Sequence, residues 1–188
     1  MASRNLKEQH NESERFSVID IIRIFGGLLV LNALLSWWFT SSSTWGYYGK
    51  WLDPSYLKFR AFPSYLNLTL EELSMYNGSD PNLPIYVAVN GSVFDVSSSR
   101  EIYGPKGGVY AKLSGTDSAR VFVTGCFHRP DQFTYDLRGL DPEEADNDIR
   151  QWHNFYANHA NYWLVGIVTH EKIIGDPPEP CEHIKFPG

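Results

Sequence analysis

Two tyrosines, three glycines and two lysines crowd the stretch Tyr103-Gly-Pro-Lys-Gly-Gly-Val-Tyr110-Ala-Lys112, and Gly115-Thr-Asp117-Ser-Ala-Arg120 follows at once. Lacking a Cβ, Gly104, Gly107 and Gly108 let a loop backbone approach a ligand or a neighbouring segment closely. A phenol beside such a ligand can donate and accept hydrogen bonds. The ordinary alternative is a core aromatic whose hydroxyl is bonded to backbone. Lys106 and Lys112 offer positive charge, although a lysine in a polar loop is more often simply solvated. Other reactive patterns are missing. There is no Ser-His-Asp set, paired-carboxylate, Walker or dinucleotide-binding pattern, so nothing argues for hydrolysis or phosphoryl transfer. Cys126 and Cys181 lack CxxC spacing and a nearby histidine pair, which argues against a zinc site. On count alone they are either a pair that ties the tail to the domain or two unrelated thiols.

The loop must be held by a fold. The length of 188 residues favours one compact domain plus appendages. A net charge of −6 with no basic stripe argues against a nucleic-acid partner. Residues 1–17 are polar and charged and read as a disordered tail. Residues 18–39 change character: Ile24 to Phe39 carries no charge and one Asn, long enough to cross a hydrocarbon layer of roughly 30 Å. Asp20 and Arg23 would mark one interface, and Trp37, Trp38 and Phe39 the aromatic belt at the other. A cleaved signal peptide fits less well, because a Trp pair follows the small residues. A buried soluble helix is the plain alternative. Residues 40–65 read as an aromatic linker that rests on the membrane surface or packs on the domain.

The domain itself is expected over 66–170, with a Pro-rich extended tail over 171–188. Thr69, with Glu72 three residues later, predicts a capped helix whose Leu70, Leu73 and Tyr76 share a face. Ile85–Val89 and Val93–Val96 alternate around Asn90-Gly91, the strongest short hairpin signal. Asp117–Phe127 and Glu143–Asn158 have helical spacing, with Asp141-Pro142 as a helix start. Tyr162–Val168 alternates weakly and predicts a last strand. The expected fold class is α+β.

These elements, in order, resemble a cytochrome b5-like haem/steroid-binding domain, and specifically its membrane-associated progesterone receptor branch. The resemblance is carried by Leu70-x-x-Leu73-x-x-Tyr76-Asn-Gly78, Val87-Ala-Val-Asn-Gly-Ser-Val-Phe-Asp-Val96, Tyr103-Gly-Pro-x-Gly and Gly115-x-Asp117-x-x-Arg120. It implies a membrane-anchored, non-enzymatic protein that binds haem b through a tyrosine phenolate and supports sterol or P450 metabolism or handles haem. Counting back from Asp117, the iron ligand it implies is Tyr110. Tyr103 and Tyr162 would hydrogen-bond in the pocket, with Gly107, Gly108 and Lys112 beside the cofactor. The chain departs from the branch by one residue, Gly-Gly-Val-Tyr standing for Gly-Pro-Tyr, so Tyr103 competes with Tyr110 for the iron.

Ordinary cytochrome b5 uses two histidines. This loop has none, and His128, His153, His159, His170 and His183 all lie later, which disfavours a bis-histidine electron carrier. The alternatives to haem binding are a haem-free steroid-binding or interaction module and an electron-transfer cytochrome. The implied partners are the membrane, P450 or other sterol-pathway enzymes, and a steroid, in the endoplasmic reticulum or another endomembrane. Relatives of this kind present the domain to the cytosol. Three cues point to the lumen instead. Arg4, Lys7, Arg15 and Arg23 precede the apolar stretch while Lys50 is the first cation after it. Asn67-Leu-Thr, Asn77-Gly-Ser and Asn90-Gly-Ser are glycosylation sequons. Two cysteines could pair there.

Overall fold

The structure is a computed structural model and describes residues 17–179 and 181. Apart from Ser17 the tail expected over 1–17 lies outside the described residues, as do 180 and 182–188 of the expected Pro-rich tail, His183 among them. The chain divides into two units, Met1–Tyr48 and Gly49–Gly188.

In the first unit a single helix, α1, spans Val18–Thr40. Ser17 and Asp20 close a capping box at its start, and Ser41 ends it in the left-handed region, its N–H donating to Trp37 O. At 1.5 Å per residue its 23 residues reach about 35 Å, enough to cross a hydrocarbon layer. Its side chains are apolar all round and exposed, including Leu29, Leu34 and Trp38. A helix of that kind is stable only against an apolar surrounding. The one polar group in its middle, Asn32 Oδ1, accepts from the Trp45 indole at 3.2 Å.

The second unit is α+β. Its strands are β1 (Leu66–Thr69), β2 (Tyr86–Val89), β3 (Ser92–Asp95) and β4 (Trp163–Thr169), in the order β1-β4-β3-β2. Only β1 and β4 run parallel. Asn90 and Gly91, with φ of 45° and 89°, make the tight turn between β2 and β3. Two consecutive residues at positive φ match the right-handed twist of the strands, and Asn-Gly tolerates them best.

Alternation along the strands sends residues to both faces of the sheet. Val87, Val89 and Phe94 enter a core with Val121, Phe122, Ile149 and Tyr156. Ala88, Val93 and Val165 enter another with Leu68, Leu73 and Trp163. The helix α6 (Pro142–Asn158) covers the first face, started by Asp141, which accepts from the N–H groups of Glu143 and Glu144. The second face is closed by α2 (Pro54–Ala61), whose Tyr56 is buried with its ring 5.2 Å from that of Trp163. The late part of the aromatic stretch therefore packs on the domain. Lys50 adds to the attachment by donating from Nζ to the carbonyls of His159 and Tyr162.

The short helix α3 (Leu70–Ser74) carries the expected Thr69–Glu72 capping box. The apolar run after Asp117 differs from the expectation: α5 covers only Ala119–Thr124, because Gly125 at φ 67° stops it. Helix α4 (Arg100–Tyr103) leads into the glycine loop.

Candidate functional site

The loop after α4 folds back on the helix that launches it. Gly108 N–H donates to Gly104 O at 3.1 Å, and Tyr110 N–H to Ile102 O at 3.0 Å. A Cβ on Gly108 would collide with the carbonyls of Ile102 and Gly104, so only glycine permits this approach. A single turn of 3₁₀ helix, Ala111–Leu113, then begins right after Tyr110. The fold-back leaves a cleft of about 270 Å³, bounded by the loop from Gly108 to Leu113 and by Phe127 and Phe133.

Tyr110 stands at this cleft, 40% exposed, its ring 5.6 Å from Phe127. Its hydroxyl has no hydrogen-bond partner among the described residues. Lys112 also lines the cleft, with Nζ 5.7 Å from the centroid of Phe133. Gly108 lines it too, while Gly107, at φ 87°, lies in open space on the loop.

Tyr103 and Tyr162 sit elsewhere, behind the loop. Tyr103 is 4% exposed and its hydroxyl lies 3.1 Å from that of Tyr156. Tyr162 donates to Ser99 Oγ at 2.8 Å. The rings of Tyr103 and Tyr162 meet edge to face. Burial, followed by the neighbouring Tyr156 and Tyr162, holds the Tyr103 phenol far above the ordinary tyrosine range, so it stays protonated. Burial does the same to Tyr156. A phenol that cannot ionise and already has a partner is a poor ligand for a metal ion.

Asp117 and Arg120 have architectural roles. Asp117 accepts the N–H groups of Asn90 and Gly91, and its Oδ2 lies 2.8 Å from His170 Nε2. It thereby pins the β2–β3 turn to the segment that follows the loop. The Arg120 guanidinium is 1% exposed and donates to Gln132 Oε1 and to the carbonyls of Asp136, Arg138 and Pro178. Those bonds shape the segment that carries Phe127 and Phe133. The same segment holds the tail: Arg138 donates to Gly175 O, Gln132 to Glu179 O, and Cys126 is disulfide-bonded to Cys181.

Sequence reasoning missed the wall formed by Phe127 and Phe133. Phe127 ends an apolar run that reads as plain core, and Phe133 carries no signal. Tyr156, the partner of Tyr103, reads as core as well.

A flat, mostly apolar cofactor with acidic edges fits this donor set. The cleft offers one unpartnered phenol, two aromatic walls, the Leu113 floor and a lysine. Its volume lies just below the roughly 300–1,000 Å³ of common ligand pockets, so a macrocycle would be held along one edge with the rest open to solvent. Among the described residues no histidine lines it.

Residues 69–168 match the family described as cytochrome b5-like heme/steroid binding domain. Membrane steroid-binding protein 1 of Arabidopsis thaliana is 35% identical over 119 residues, 63% of this chain and 53% of that protein. Membrane-associated progesterone-binding protein 4 of the same plant is 39% identical over 119 residues, 61% of this chain and 44% of that protein. The chain thus spans about half the length of these curated relatives. A solved hypothetical protein of Arabidopsis thaliana, described as having a cytochrome b5 like fold, is 36% identical over 56% of this chain and 93% of its own, with a TM-score of 0.48.

Proposed function

The chain belongs to the cytochrome b5-like heme/steroid binding domain family, and from that premise we propose that it is a membrane-anchored haem-binding protein in which Tyr110 ligates the iron of haem b. The observation that carries this reading is the contrast among the loop phenols. Tyr110 reaches the cleft with its hydroxyl unpartnered, while Tyr103 and Tyr162 are buried and hydrogen-bonded.

In this reading Tyr110 would hold the iron through its phenolate, a hard anionic oxygen that favours the ferric state. Phe127 and Phe133 would line the cofactor's edge, and Lys112 would supply positive charge for a propionate. Tyr103, Tyr156 and Tyr162 support the loop from behind. When bound, the haem would supply a ferric centre suited to binding, sensing or delivery of haem more than to outer-sphere electron transfer. The role is non-enzymatic, in support of sterol or P450 metabolism or of haem handling, at the endoplasmic reticulum or another endomembrane.

A second reading takes the same cleft as a steroid site without haem. It draws on the apolar floor and walls and on the steroid-binding names of the relatives. The absorption spectrum of the purified full chain in detergent, with and without hemin, separates the two. A Soret band with a red-end charge-transfer band that disappears in Tyr110→Phe supports tyrosinate ligation. Absence of any hemin-dependent band overturns it in favour of the steroid reading.

A further inference from the structure

We propose that the folded unit after α1 faces an oxidising secretory compartment and carries an N-linked oligosaccharide on Asn90. The inference is independent of what occupies the cleft.

Four sequons occur in this chain: Asn11-Glu-Ser precedes the apolar helix and lies outside the described residues, and the fold treats the three in the folded unit differently. Asn67 Oδ1 accepts the Thr169 hydroxyl at 2.9 Å, and the hydroxyl of its sequon threonine, Thr69, is the N-cap acceptor of α3. Asn77 is half-buried, its Oδ1 accepts from Ser79 N–H, and its Cβ would stand 3.0 Å from a Cβ on Gly115. A glycan on Asn77 would stand on a half-buried side chain already engaged in a local turn. Asn90 lies exposed at the tip of the β2–β3 turn. Its backbone N–H is fixed by Asp117, while its side-chain amide and the Ser92 hydroxyl have no hydrogen-bond partner among the described residues. A sugar there costs no native contact.

The compartment follows from a separate observation. Cys126 and Cys181 form a disulfide, and the tail that brings Cys181 to its partner is aligned by bonds from Arg138, Arg120 and Gln132. The pairing is thus built into the packing, and such bonds persist in oxidising compartments. Arg4, Lys7 and Arg15 precede the apolar helix and Arg23 stands near its start, while Lys50 is the first cation after it, a weak bias in the same sense. The modification joins Asn90 Nδ2 to C1 of an oligosaccharide. The C1–O bond to its lipid diphosphate carrier breaks, and the lipid diphosphate leaves while the amide gives up one proton.

The test translates the full chain in the presence of endoplasmic-reticulum microsomes and treats the membranes with an endoglycosidase. Ser92→Thr keeps the sequon and Ser92→Ala destroys it, and neither touches the strained Asn90 backbone. Wild type and Ser92→Thr should lose the mass of at least one glycan on digestion, and Ser92→Ala should lose one glycan fewer than wild type. No shift in wild type, or an equal shift in Ser92→Ala, overturns the proposal.

Discussion

Replacing the two loop tyrosines by phenylalanine, one at a time, should separate binding from stability. Tyr103→Phe removes a hydroxyl that meets Tyr156 at 3.1 Å inside the core. It leaves the Tyr156 hydroxyl buried without that partner, at a cost of ~1–3 kcal/mol. For a unit of this size the melting temperature should drop by roughly 3–10 °C. Tyr110→Phe deletes a hydroxyl with no partner among the described residues, so stability should stay within about 0.5 kcal/mol of wild type. Its hemin Kd should rise by at least ~10-fold, or about 1.4 kcal/mol. Tyr103→Phe should move that Kd far less. Both quantities are measured on the full chain in detergent, by near-ultraviolet circular dichroism on heating and by absorbance titration with hemin. If Tyr103→Phe abolishes hemin binding while Tyr110→Phe leaves it intact, the assignment of the two phenols is wrong.

Cys181→Ser should lower the stability of the folded unit by ~4 kcal/mol, because the disulfide closes a 55-residue separation in the unfolded chain; urea melts of oxidised wild type and the variant that coincide would count against it. Asp95 is held by burial at a pKa of about 6, above its unfolded 3.8. The native state therefore keeps a proton that the unfolded chain releases, and stability falls as pH rises from about 4 to 6. Asp95→Asn, which keeps an acceptor for Ser97 N–H, should flatten that slope and stabilise the protein at pH 7 by up to ~3 kcal/mol, the value of about two pKa units; an unchanged slope in pH-dependent melts would refute it. The full chain should stay in the membrane pellet after carbonate extraction, and its release to the supernatant would show that α1 does not span.

What could be read from the sequence was local. The Thr69–Glu72 box, the Asn90-Gly91 turn and the Asp141-Pro142 start each depend on residues within a few positions of one another, and each forms where the pattern put it. The strand β1 was not legible, since four residues become a strand only by pairing with β4 about a hundred positions later. The extent of α5 was misjudged because Gly125 interrupts an otherwise apolar run. At the site, the glycine loop and its phenols stood out by type and spacing. What distinguishes Tyr103 from Tyr110 did not. The first is locked by Tyr156, 53 residues away, and the cleft wall comes from Phe127 and Phe133 on a segment shaped by the buried Arg120.

The placement of β4 bears on how the chain is made. This strand is the last of the four to leave the ribosome, yet it lies inside the sheet, between β1 and β3. Until Trp163–Thr169 has been synthesised, β1 has no partner strand and β3 offers a bare inner edge. Nascent chains that stop short of this strand expose Val93, Phe94 and the rest of an apolar hairpin along an unpaired edge, the geometry that invites aggregation. The unit therefore cannot fold stepwise from its N-terminus during translation. A truncation that removes β4 should yield insoluble protein, however much of the glycine loop it retains.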